Sequence, residues 1–223
     1  MAVYKKHLEE KIGLAIGMKV GMKAVYSEAT FKRIAEDAVF FRRKAAEKDI
    51  DGAESKRYSR IVILLMAFYL ESLANLFVDA GLGKDWEKEK EKGCADVIVK
   101  LRAIHKQLYG VELALDTDGI QDVFSIRNRV IAHPAGRSKE CTNGNGWKRE
   151  DRVVSYKKFT DFPSTYSRFT PSHADRVLEE VKDFLARFHD LLLKDKTDKI
   201  PKDILNACRP GELLEWSKEA PKH

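Results

Sequence analysis

Apolar residues recur at helical spacing through most of this chain. From Ser27, placed to cap a helix, Phe31, Ile34, Ala35, Ala38 and Phe41 follow a 3.6-residue period until charged residues take over near Lys48. A second helix is predicted from about Ser55 to Asp79, closed by Gly81. Its centre, Ile61 to Leu70, is apolar on every side, so this is the helix expected to be surrounded by the others. Glu71, Ser72 and Asn75 interrupt that run after ten residues, short of the roughly twenty a bilayer requires. A core helix is therefore expected there, and no membrane association.

A third helix is expected to start near Asp85, turn Val97, Ile98, Leu101, Ile104 and Leu108 inward, and end at Gly110. Its first turns, Glu87 to Lys92, alternate in charge as a solvated face does. The fourth begins near Asp118, carries Ile120, Val123, Phe124 and Val130, and runs to His133, where Pro134 forbids simple continuation. Residues 135–169 form a long connection with turn chemistry at Asn143, Gly144, Asn145 and Gly146 and room for a short strand over Arg152–Tyr156. The last main helix opens with Thr170 as cap and Pro171 in the first turn. It buries Leu178, Val181, Leu185, Phe188 and Leu192 and ends near Lys194.

The elements define an all-α chain in three parts: an N-terminal arm or short helix (1–26), one helical domain (27–194) and a tail (195–223). Gly13, Gly17 and Gly21 in the arm suit either a close helix contact or a mobile segment, and the tail carries Pro201 and Pro210. Apolar residues at 43% and charged residues at 34% are the balance of a folded, water-exposed domain. Lys5 and Lys6 are not followed by the uninterrupted apolar stretch of a secretory signal, so a cytoplasmic location is expected. Cys94, Cys141 and Cys208 are odd in number and widely spaced, which points to reduced, passive thiols and not to a zinc site. With no Gly-rich phosphate loop and no His-Glu-x-x-His pattern, no cofactor or metal is expected.

The net charge of +6 is unevenly spread. Residues 127–168 carry ten basic and four acidic side chains, and 1–60 carry fourteen and nine, whereas 61–126 carry seven and eleven. A phosphate-rich partner would be drawn to such a field, although a solvated basic surface without a partner has the same composition.

The densest chemistry lies at the end of the fourth helix, Ser125-Ile126-Arg127-Asn128-Arg129-Val130-Ile131-Ala132-His133-Pro134. Arg129 and His133 share a face of a regular helix, whereas Arg127 and His133 stand about 240° apart. Since the residue before a proline is pushed from the α region, His133 can swing toward Arg127 or Asn128. The exposed carbonyls of a helix C-terminus also favour a protonated imidazole, which suits proton transfer. A histidine that simply closes the helix is the plainer alternative.

Arg127-Asn128, four further residues and His133 resemble the Arg-x4-6-His signature of the HEPN superfamily (higher eukaryotes and prokaryotes nucleotide-binding), including its polar residue after the arginine. Leu70-Glu71-Ser72-Leu73-Ala74-Asn75 is similar to the Leu-Glu-x-x-x-Asn stretch of that family's earlier core helix, and the order of elements agrees over roughly residues 27–194. The resemblance implies an up-and-down helical bundle, here with a long connection before its last main helix, and a homodimer whose two motifs face a shared cleft. It also implies metal-independent endoribonuclease activity, possible use in defence or stress response, and a protein partner that inhibits or activates. On that reading His133 moves protons as a ribose 2′-hydroxyl attacks the adjacent phosphate, Arg127 neutralises the phosphate oxygens, and Asn128 orients either group. Glu71 and Asn75 either stand behind the motif or satisfy polar groups between packed helices, Arg129 is a second candidate cation, and Arg137, Lys139, Lys148 and Arg149 in the basic connection are candidates for RNA contact. The tyrosine common two residues beyond the histidine in antitoxin-paired members is replaced by Ala135, which counts against that branch. The alternative is a non-catalytic HEPN-like module that binds RNA or protein as a dimeric adaptor. Tyr109, Trp147, Tyr156 and Tyr166 could stack on unpaired bases or serve as packing anchors, and His105, His173 and His189 are expected to be structural.

Overall fold

A computed structural model describes residues 33–47, 50–83, 85–90, 94–132, 156–164, 166–193 and 200. The helix start expected at Ser27, the arm glycines, Pro201 and Pro210, and the strand expected at Arg152 lie outside the described residues. Helix α1 is described over 33–45, and α2 spans Gly52–Asp79. A short 3₁₀ turn comes next at Trp86–Glu89, then α3 (Asp96–Tyr109), α4 (Asp118–Ile126) continuing into a π-turn (Arg127–Ile131), and α5 (Pro171–Leu193). Among the described residues there is no strand, and the fold is all-α.

The all-round apolar character of α2 has the expected result. Met66, Leu70, Leu73 and Phe77 are sealed among α3, α4, the π-turn and α5, with α5 making the longest contact. By length and composition α2 could also cross a membrane, but more than half of its most apolar stretch is buried by neighbouring helices, as in a core helix. Helix α5 supplies the facing stripe: Ala174, Val177, Leu178, Val181, Phe184, Leu185, Phe188 and Leu192 recur at three- and four-residue intervals and are all buried. The rings of Phe77 and Phe188 meet edge to face, with centroids 6.0 Å apart. Truncating either to alanine would cost about 3–5 kcal/mol by the usual cavity penalty.

Two element starts differ from the sequence expectation. Helix α2 begins at Gly52, and the Ser55 hydroxyl donates instead to the Ala45 carbonyl at 2.7 Å, tying the end of α1 to the first turn of α2. Helix α3 begins at Asp96 and not near Asp85. The charged stretch before it has no apolar stripe to bury, so it forms only the 3₁₀ turn, after which Lys90 is extended. The glycine ends behave as expected: Gly81 and Gly110 have φ of 92° and 75°, values open to glycine.

The end of the long connection is fixed to α4. Asp122, 2% exposed, accepts the backbone N–H groups of Lys157, Lys158 and Phe159 at 3.0, 2.7 and 3.0 Å. Phe159 stacks on Phe162 with centroids 4.4 Å apart, and the Arg176 guanidinium lies over both rings. Helix α4 also crosses α5 closely at Gly119, where any Cβ would overlap the Glu180 carboxylate. One Glu180 oxygen receives Lys158 at 2.7 Å, and the other is buried without a hydrogen-bond partner among the described residues.

Candidate functional site

The regular hydrogen-bond ladder of α4 slips where the sequence carries its candidate chemistry. The Ala132 N–H bonds to the Arg127 carbonyl, five residues back, at 2.7 Å, so Arg127–Ile131 forms a π-turn. Such turns accommodate one residue more than an α-helix over the same length and are frequent at functional sites. Val130 and Ile131 remain buried, 2% and 6% exposed, and these apolar anchors hold the widened turn against the core. The bend expected at Pro134 is thus preceded by an irregularity of the helix itself.

Arg127 is held from four directions. Its Nη1 donates to Glu71 Oε2 at 2.5 Å and its Nε to Asn128 Oδ1 at 2.9 Å. The guanidinium carbon lies 4.9 Å from the Phe124 ring centroid and 5.6 Å from that of Phe68. A planar cation against two aromatic rings, with a carboxylate hydrogen-bonded to it, has its orientation restricted before any ligand arrives. Among the described residues, two of its five N–H groups are engaged in hydrogen bonds. The Arg127 side chain is 18% exposed and Glu71 39%, so the pair borders solvent.

The remaining candidate residues separate. Asn75 accepts from Lys100 Nζ at 2.7 Å, so within one turn of α2 Glu71 serves the π-turn and Asn75 serves α3. Asn128 and Arg129 are exposed beside Arg127. His133, Arg137, Lys139, Lys148 and Arg149 lie outside the described residues, as does Trp147. Tyr109 donates to the Leu192 carbonyl at 2.8 Å and Tyr156 to the Pro163 carbonyl at 3.2 Å, so both tie the fold together. Burial pushes the Tyr156 phenol up to about 12, which keeps it a neutral donor. His105 faces the Val111 carbonyl at 3.1 Å, and His173 Nδ1 accepts the Thr170 N–H at 3.0 Å, closing the N-terminal turn of α5.

Sequence reasoning missed Phe68 and Phe124, although each stands three residues before a charged partner, Glu71 and Arg127, and such pairs share a helix face. It also missed the role of Asp122, whose partners are backbone groups with no sequence signature.

A separate surface cavity of about 490 Å³ is lined by Glu89, Val99, Arg102, Lys106, Glu112 and Leu113. Lys106 bridges Glu89 and Glu112 there at 3.0 and 3.2 Å, so its charge is locally balanced. No family model, curated protein or solved structure matches this chain.

Proposed function

We propose that this chain is a metal-independent endoribonuclease of the HEPN type, acting as a homodimer, with the end of α4 as its reaction centre. The observation that carries the reading is the Arg127 guanidinium at the edge of solvent, oriented by Glu71, Asn128 and two aromatic rings inside a π-turn, with two of its five N–H groups engaged among the described residues.

In the reaction the ribose 2′-oxygen attacks the adjacent phosphorus while His133 moves the proton. The bond to the 5′-oxygen breaks, and that oxygen leaves protonated. The products are a 2′,3′-cyclic phosphate and a 5′-hydroxyl. Arg127 stabilises charge on the non-bridging oxygens, a role in which loss of one donor costs about 10² to 10³ in rate. The test is incubation of purified protein with single-stranded and structured RNAs in EDTA, with His133→Ala alongside. Cyclic-phosphate ends from the wild type alone are expected. Equal inertness of both proteins, with and without candidate activating partners, would remove the catalytic reading.

The Arg127–Glu71 ion pair also supports a second reading, in which the motif closes a non-catalytic binding surface because its cation is already neutralised by a carboxylate. RNA binding that survives alanine at both Arg127 and His133 would select it.

A further inference from the structure

Glu71 and Asn75 stand one turn apart on α2, about 6 Å along its axis. Glu71 holds Arg127, and Asn75 accepts from the Lys100 ammonium at 2.7 Å. That ammonium also lies 4.4 Å from the Trp86 ring centroid, and Lys90 lies 4.7 Å from the same ring. The two lysines differ in compensation. Lys90 is paired with Asp96 at 3.5 Å, whereas the described partners of Lys100, an amide oxygen and an indole face, are both neutral. A net positive charge therefore sits beside a half-exposed indole, one helical turn from the Arg127 site. A solvated mixed-charge surface accounts for the neighbouring Glu87, Lys88 and Glu89, but it gives no reason for an indole among them.

We propose that Trp86 and Lys100 form a second contact for the RNA strand whose scissile phosphate lies at Arg127, an inference that rests on the RNA-directed reading of that site. An unpaired base stacks on Trp86, displacing an ammonium from the ring face, and Lys100 meets the phosphate of the same stretch of strand. Indole stacking is tolerant of base identity, so this contact adds affinity and direction along the strand and little sequence preference. The two cations follow the axis of α2, which suits successive phosphates of one strand.

The test uses the full chain carrying Trp147→Phe and Trp216→Phe, so that Trp86 is its one indole, and a 2′-O-methyl RNA 12-mer that cannot undergo 2′-hydroxyl attack. Saturable quenching of Trp86 emission is expected. Trp86→Ala should weaken binding roughly ten-fold or more, and Trp86→Phe, which keeps a ring, by much less. Lys100→Ala should lower the slope of log affinity against log salt by about 0.7, the value for one single-strand phosphate contact. Circular dichroism checks that each variant is folded. If the 12-mer binds with unchanged indole emission and the affinity of Trp86→Ala equals that of wild type, the second contact is overturned while the ribonuclease reading stands. If the wild type neither binds the 12-mer nor cleaves unmodified RNA, both fall together.

Discussion

Arg42 on α1 and Arg127 at the end of α4 each face a carboxylate on another helix, yet the two pairs are built differently. Arg42 meets Asp175 of α5 with both Nε and Nη2, the latter at 2.5 Å, and its side chain is 8% exposed. Arg127 spends one nitrogen on Glu71 and another on its neighbour Asn128, and it rests on two aromatic faces at the edge of solvent. Arg42 sets two nitrogens against a single carboxylate and closes the junction of two helices. Arg127 divides the same number of contacts between a carboxylate and an amide, and its guanidinium lies against two rings where the pair borders solvent. What separates the two is thus geometry and exposure, a buried two-point fork in one case and a cation aimed by several neighbours at the edge of solvent in the other.

The sharpest way to break this contrast is to remove each cation. Arg127→Ala should lower RNA cleavage by about 10² to 10³ while costing stability only about 1 kcal/mol, since its pair borders solvent. Arg42→Ala should do the reverse, costing about 2 kcal/mol, below the usual value for a broken buried pair because Asp175 is 32% exposed. Cleavage assays and urea melts on both variants would expose an exchange of these roles. The carboxylates give a finer test. Glu71→Gln keeps an acceptor for Arg127 but removes its neutralising charge, so RNA affinity should rise about three-fold with stability altered by less than about 1 kcal/mol. Asp175→Asn should leave RNA affinity unchanged and lower the melting temperature.

The smallest effect concerns acid. Burial lowers the pKa of His173, two residues before Asp175, so folding favours its neutral ring, whose Nδ1 accepts the Thr170 N–H. This contribution is complete above the unfolded value of about 6.5 and is lost as pH falls through the lower folded value. Stability should therefore decline below about pH 6.5, and His173→Gln, which cannot titrate but can still reach back to the same N–H, should flatten that slope. Thermal melts from pH 7.5 to 5 would show it.

Much of the helical frame is legible in the chain itself. The stripe from Leu178 to Leu192 and the apolar centre of α2 are periodic because they are buried, and burial is what selection on sequence pattern records. The start of α3 is harder to place because charged alternation from Glu87 to Lys92 resembles a solvated helix face, whereas a helix forms only where Val97, Ile98 and Leu101 give it something to pack against. At the candidate site, Glu71 and Arg127 can be named from sequence, but their contact cannot, since 56 positions separate them. Glu71 and Asn75 look like one unit by spacing, yet each meets a different helix. The π-turn leaves no trace either, because Val130 and Ile131 fit an α-helical stripe equally well.

That slipped ladder has a bearing on chain length. A helix with one residue to spare between Arg127 and Ile131 can lose a position there and revert to regular pitch without dislodging Ile120, Val123 or Phe124 upstream. The last turn of α4 is therefore where this helix can best absorb a change in length, and a single deletion there would leave its earlier turns wound.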